Sequence, residues 1–191
     1  MKLLLIGHED RYAVEQLQLA LFPLEQMENV TAPFEGDGAV STLHRGNTWL
    51  TATAKITKNG VTHTAVKRLQ AKDETVRLRR RILQQSYYLA ALPHLGKEPA
   101  WGALSGVRPT KITTKALLEG KSEKEAVKLM TDTYFVTQQR AQLSLDCSKA
   151  TVEAAAKLHP DDVSLYVAFP SAPPAAPTAP SSAGPSASVR S

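Results

Sequence analysis

The composition of this chain changes abruptly at Pro170, and the change limits what each part can fold into. From Pro170 to Ser191 the sequence holds six Pro, six Ala and six Ser, residue types that rarely build a packed core. The residues before Pro170 have the mixture of an ordinary globular protein, and 42% of the whole chain is hydrophobic. We therefore expect a globular body up to Phe169 and a disordered Pro/Ala/Ser tail over residues 170–191.

Hydrophobic periodicity predicts a small α+β domain over residues 1–95. A buried strand is expected at Lys2–Ile6 and an amphipathic helix at residues 9–21. Further strands are predicted at 38–43, 48–57 and 61–69, with Asn59 and Gly60 forming a tight turn between the last two. Hairpin strands run antiparallel, so the pattern indicates a small, mostly antiparallel sheet with helices.

Residues 96–160 are predicted to form a helical segment. Pro109 suits the first turn of a helix, and Ser122 with Glu125 matches a capping box for the next one. Thr137 is placed to cap a long helix that reaches about Leu158. A strand is then expected within residues 161–169.

Composition also limits the compartment and the chemistry. No apolar run approaches the roughly 20 residues that cross a bilayer, so we expect no membrane partner. The single cysteine, Cys147, rules out an internal disulfide and fits a reducing cytoplasm; lying in a predicted helix beside Asp146, it is expected to be packed away. The five histidines lack the spacing of metal ligands, and no nucleophile with a base is recognisable.

The formal charge of +5 raises the question of a polyanionic partner. Residues 77–81, RLRRR, form the densest basic run. Such a run could bind the phosphates of RNA or DNA, form a solvated helix face, or face a carboxylate-rich substrate. No aromatic residue interleaves with the arginines, so we favour the solvated face and expect no nucleic-acid partner.

The tail can encode cysteines in the neighbouring reading frame. Every Ala codon begins with GC, and a T in the free third position before it creates the cysteine codon TGC. With one T restored after the codon of Pro170, a permitted choice of codons reads FPFCPTRCAYCSFVS. Its three cysteines span Ser171/Ala172, Ala175/Ala176 and Thr178/Ala179. This CxxxCxxC spacing lets three thiolates hold a four-iron cluster and leave one iron open.

A genuine flexible linker is the alternative interpretation of the tail. The position of the change favours the frameshift.

A second motif lies at residues 101–111, WGALSGVRPTK, which we call the 101–111 motif. It resembles the WGxLxGVRPTK signature of HemZ-type, oxygen-independent coproporphyrinogen III dehydrogenases (oxidases), and the restored loop after VSLYVAFP resembles the start of their radical S-adenosylmethionine domain. The resemblance extends from the first strand to Phe169. It implies that residues 161–169 are the first strand of a truncated partial TIM barrel.

The resemblance also implies cofactors and site residues. Intact members bind a 4Fe-4S cluster and S-adenosylmethionine, whose reductive cleavage supplies a radical that decarboxylates coproporphyrinogen III propionates to vinyl groups in haem biosynthesis. They therefore need coproporphyrinogen III and an electron donor. Tyr166 matches a tyrosine near the S-adenosylmethionine site. From the residues themselves, Arg108 could hold an anion with help from Lys111, or could pin its loop to a neighbouring carboxylate.

We expect this chain to be the N-terminal fragment of such an enzyme and to be catalytically inactive. No cysteine follows Cys147, and Ala or Ser cannot replace a thiolate as an iron ligand. No cofactor and no metal site are therefore expected for this chain. The competing hypothesis is a stand-alone basic α+β module that binds RNA, DNA or a protein partner and carries a linker tail.

Overall fold

The computed structural model describes residues 1–159, 161–163, 165 and 167. Met1–Lys157 form one compact unit, and a second unit begins at Leu158. The predicted site residue Tyr166, the end of the predicted barrel strand at Phe169 and the tail over residues 170–191 lie outside the described residues.

Five strands form one sheet in the order β2-β1-β3-β4-β5. They are β1 (Lys2–Ile6), β2 (Glu28–Val30), β3 (Gly38–Arg45), β4 (Trp49–Lys58) and β5 (Val61–Gln70). Strand β1 pairs in parallel with both β2 and β3, whereas β3, β4 and β5 are antiparallel. The prediction of an antiparallel sheet was therefore wrong, because the sheet is mixed. Strand β2 was not predicted, because its residues Glu-Asn-Val are too few and too polar to show a period.

The strands and helices of the first part bury one continuous core. Helix α1 (Arg11–Leu21) links β1 to β2, and α2 (Val76–Ala91) packs against β4 and β5. Leu50 and Ile56 of β4 lie fully inside, as do Leu83 and Tyr87 of α2. Asn59 and Gly60 both have positive φ, 50° and 75°, so the predicted turn between β4 and β5 is confirmed.

Three further helices enclose a second, smaller core. They are α3 (Pro109–Leu118), α4 (Glu123–Lys128) and α5 (Gln138–Ala156), and a single π-helical turn at Leu129–Thr133 follows α4. Their shared core consists of Ala116, Ala126, Val127, Met130, Val136, Ala141 and Leu145. We call residues 1–95 the sheet lobe and residues 96–157 the helical lobe; that they are separate domains stays a prediction.

Of two capping predictions in the helical lobe, one is confirmed and the other is wrong. Ser122 accepts a hydrogen bond from the Glu125 backbone, and the Glu125 carboxylate accepts one from the Ser122 backbone, which confirms the capping box. Thr137 precedes α5 as predicted but its side chain does not cap the helix; its hydroxyl donates to the Ala100 carbonyl instead, at 3.2 Å.

Cys147 is exposed, so the prediction of a packed cysteine was wrong. Helix α5 turns Ala141, Ser144, Leu145 and Ser148 inward, a spacing of three and four residues that defines its buried side. Cys147 falls outside this spacing and therefore faces away from the core.

The described residues beyond Leu158 form no strand. Val163, Leu165 and Val167 adopt no regular secondary structure, and they are 92%, 87% and 58% exposed. The predicted first strand of a barrel is thus not confirmed. Within the described part of the chain, no helix has both the length and the apolar character to cross a bilayer.

Candidate functional site

The 101–111 motif begins with a close backbone contact. Gly102 has a φ of +55°, and a Cβ placed on it would lie 2.2 Å from the carbonyl oxygen of Phe135. The next residue, Ala103, donates its N–H to the Tyr134 carbonyl at 2.8 Å. Only glycine can occupy position 102 without moving the chain, which explains the glycine at this position of the motif.

The end of the motif is fixed to α5 by a buried polar cluster. The Thr113 hydroxyl lies 2.9 Å from the Ser144 hydroxyl and 2.6 Å from the Ser148 hydroxyl. Ser148 also donates to the Thr110 carbonyl at 3.1 Å, and all three hydroxyl-bearing side chains are buried. Since each hydroxyl has partners, the cluster is satisfied and holds the first turn of α3 at a fixed position against α5.

Between its two ends, the motif lines a cavity of about 770 Å³, which we call the basic cleft. Ser105, Gly106 and Val107 form one part of the wall, and α1, α2 and α3 supply most of the rest. Six cationic side chains line it, against the single carboxylate of Glu119; they are Arg77, Arg80, Arg81, Lys111, Lys115 and Lys121. The cleft has a formal excess of five positive charges, equal to that of the entire chain.

The cations of the cleft are only partly neutralised. Lys115 and Lys121 share Glu119, each at 3.5 Å. Arg77, Arg81 and Lys111 have no ion pair within the described residues. An anionic ligand would therefore meet several cations without first having to displace a carboxylate.

Tyr12 of α1 places an aromatic ring at the edge of the same cleft. Its side chain is 67% exposed, and its Cε1 atom would lie 3.7 Å from a Cβ built on Gly106. A second aromatic residue, Tyr134, also lines the cleft. Tyr134 is partly buried, so the site combines cations with one largely exposed ring, that of Tyr12.

Asp10 forms the centre of an ion-pair network next to the cleft. Arg79 donates to it at 2.6 Å and Arg80 at 2.9 Å, while Arg79 also donates to Glu74 at 3.3 Å. Burial alone would raise the pKa of Asp10, but the hydrogen bonds from the two arginines outweigh it and hold this pKa below its ordinary value. The network fixes α2 against the start of α1.

The predicted site residues do not all meet in the cleft. Lys111 lines it, whereas Arg108 precedes α3 as an exposed residue outside the lining. No carboxylate of the described residues lies within 4.0 Å of the Arg108 guanidinium, so this structure offers no partner for the pinning alternative. Tyr166 lies outside the described residues. The contribution of Tyr12 was missed because about 90 residues separate it from the motif.

The residues of this chain do not fit an iron–sulfur cluster. Its only cysteine is the exposed Cys147, one thiolate where a site-differentiated four-iron cluster needs three. Among the residues that the structure describes, no group of three His, Cys, Asp or Glu side chains is placed to hold a metal ion.

Part of the chain matches a curated protein from Bacillus subtilis (strain 168), an "oxygen-independent coproporphyrinogen-III oxidase-like protein HemZ". The two are 30% identical over 82 residues, which is 42% of this chain and 16% of the relative. This chain is similar to HemZ. The match confirms the resemblance inferred from the sequence, while the chain covers well under two thirds of that relative. No protein-family model and no solved structure matches the chain.

Proposed function

We propose that this chain corresponds to the region ahead of the cluster-binding domain in a coproporphyrinogen oxidase-like protein of the HemZ type, and that as written it cannot hold the cluster. The observation that carries the proposal is the partial identity to HemZ, together with the 101–111 motif. The intact protein would act on coproporphyrinogen III with a 4Fe-4S cluster, S-adenosylmethionine and an electron donor in the cytoplasm.

In this proposal the 101–111 motif is a fixed part of the region that precedes the cluster-binding domain. The contact at Gly102 fastens its start, and the hydroxyl cluster around Thr113 fastens the helix turn that follows it. Both contacts limit the conformations that its backbone can adopt. Tyr166, just before the restored loop, would lie near the S-adenosylmethionine of the intact protein.

The lack of a cluster site follows from the donor chemistry. Ser, Ala and Thr stand where the restored frame would place cysteines, and neither a methyl group nor a neutral hydroxyl binds iron as a thiolate does. The chain as written would therefore neither bind the cluster nor convert coproporphyrinogen III.

Anaerobic incubation of the purified chain with iron, sulfide and a thiol reductant tests this proposal. Iron and acid-labile sulfide per chain are measured after desalting, with Cys147→Ser as the matched control. We expect equal background values for both proteins and no conversion of coproporphyrinogen III. About four irons per chain, or an iron content that falls in the Cys147→Ser variant, would contradict the proposal.

A further inference from the structure

We propose that the basic cleft binds single-stranded nucleic acid, with its arginines and lysines on the phosphates and Tyr12 stacked on a base. This inference rests on the described side chains of the cleft and holds whether or not the tail arose by a frameshift. It goes beyond the role proposed above, which assigns no ligand to the cleft.

The cations are arranged in rows on two helices. Arg77 and Arg81 are four residues apart on α2, and Lys111 and Lys115 are four residues apart on α3. Positions i and i+4 lie on the same side of a helix, about 6 Å apart along its axis. Both rows border one cavity, so a chain of regularly spaced anions can be held between them.

Three of the four cations in these rows have no carboxylate partner among the described residues, whereas Lys115 pairs with Glu119 at 3.5 Å. Arg77, Arg81 and Lys111 form no ion pair among the described residues, and Arg77 and Lys111 are exposed. Arg80 shares Asp10 with Arg79 and remains half exposed, at 53% of its side chain. Phosphate contacts by such side chains release condensed counterions, which supplies most of the non-specific affinity of proteins for nucleic acids.

Tyr12 supplies the aromatic ring that is absent from the arginine run at residues 77–81. The expectation that nucleic acid is not a partner relied on the absence of aromatic residues among residues 77–81. The fold brings the largely exposed Tyr12 ring from α1 to the same cavity, beside Gly106 of the motif. Val76 and Val107, 52% and 49% exposed, add apolar surface on which a base can rest.

The shape of the cleft favours a single strand over a duplex. A concave cavity of about 770 Å³ holds a few nucleotides, and the exposed Tyr12 ring at its edge can stack only on a base that is not already stacked within a duplex. A single strand exposes both its phosphates and the faces of its bases. In a duplex the base faces are covered by neighbouring bases, so only the phosphates are available to this cleft.

Fluorescence anisotropy with labelled 12-mers of uridine (RNA) and thymidine (DNA) at low salt tests the proposal. We expect saturable binding of at least one 12-mer, and the ratio of the two affinities shows whether RNA or DNA is preferred. A duplex of the same length is expected to bind at least tenfold more weakly. No saturable binding of either single strand, or equal binding of the duplex, overturns the proposal.

The phosphate contacts and the base stacking are expected to affect affinity and its salt dependence differently. Arg77→Glu combined with Arg81→Glu should lower the affinity more than tenfold and reduce the slope of log affinity against log salt by about 1.4, as expected for two lost phosphate contacts. Tyr12→Ala should lower the affinity about five- to a hundredfold with an unchanged salt slope, and Tyr12→Phe should retain it.

Lys55→Glu combined with Arg68→Glu is the matched control. These residues are exposed on strands β4 and β5, form no ion pair among the described residues, do not line the cleft, and change the net charge by the same amount. This control should weaken binding less than threefold. Equal losses for both charge-reversed pairs, or full competition by polyglutamate with no effect of Tyr12→Ala, would overturn the proposal in favour of a diffuse anion or acidic-protein surface. Circular dichroism verifies that each variant is folded.

Discussion

The two lobes reach a buried core by different means. The sheet lobe buries large side chains such as Leu50, Ile56, Leu83 and Tyr87 beneath its strands. The helical lobe buries mostly small and medium residues, and it is held by the backbone contact at Gly102 and the hydroxyls around Thr113. The sheet lobe thus buries the larger apolar core, whereas the helical lobe combines a smaller apolar core with close backbone approach and satisfied polar groups.

The lobes are nevertheless joined by specific contacts. Tyr88 of α2 stacks on Phe135, with ring centroids 5.2 Å apart and an interplanar angle of 8°. The Gln85 side chain donates to the Thr133 carbonyl at 2.7 Å. Thr133 ends the π-helical turn and Phe135 lies two residues beyond it, so the segment that contacts Gly102 also meets the sheet lobe.

The largest effect is expected at Gly102. Gly102→Ala should destabilise the protein by at least about 4 kcal/mol in urea unfolding, because the new methyl group would overlap the Phe135 carbonyl and the φ of +55° disfavours alanine.

Two other glycines separate these causes. Gly60 has a φ of +75° but open space around it, so Gly60→Ala should lower the free energy of unfolding by only about 1 kcal/mol. Gly96 has neither a positive φ nor a close neighbour, so Gly96→Ala should lower it by less than about 0.5 kcal/mol. If Gly102→Ala costs no more than Gly60→Ala, the close contact is not what fixes the motif.

A matched pair of leucines tests how the two cores respond to a cavity. Leu83→Ala should cost about 3–4 kcal/mol because the strands above it cannot close the space, and Leu145→Ala about 2–3 kcal/mol because its helical neighbours can move inward. Urea unfolding of both variants gives the two values. A larger cost for Leu145→Ala would reverse the proposed difference between the lobes.

The Asp10 network predicts how stability depends on pH. The pKa of Asp10 is lowered in the folded protein, so on acidification the unfolded chain binds the proton first and the stability from this group is lost below about pH 4. Asp10→Asn should cost about 2 kcal/mol at pH 7 and show a shallower acid loss. Identical slopes for both proteins between pH 4 and pH 2 would mean that the network does not stabilise the fold.

The smallest effect is expected at the capping box of α4. Ser122→Ala removes the hydroxyl that accepts from the Glu125 backbone, and it should cost about 1 kcal/mol. Lys124→Ala, exposed in the same helix, is the control and should be nearly neutral. A neutral Ser122→Ala would show that α4 is held by its buried side alone.

The difference between the lobes also explains what the sequence could predict. The alternation of Leu50, Ala52, Ala54 and Ile56 and the Asn59-Gly60 turn are local signals, and they placed the hairpin correctly. The parallel pairing of β1 depends on where α1 returns the chain, which no local pattern encodes.

The candidate site was predictable only in part. Lys111 lies within the motif that the sequence singled out, and it lines the cleft. Tyr12 and Arg77 reach the same cavity from two other helices, so their association required the tertiary structure. The exposure of Cys147 was misjudged because a helical position alone does not say which side faces the core.

We propose that residues 170–191 of this HemZ-like chain encode a cysteine loop in a displaced reading frame. Sequencing the genomic DNA from the codon of Val163 through that of Ser191 checks this proposal. We predict that one added base after the codon of Pro170 yields an open frame with cysteine codons across Ser171/Ala172, Ala175/Ala176 and Thr178/Ala179. A confirmed sequence whose neighbouring frame lacks those three codons, or is interrupted by a stop codon among them, would contradict the claim.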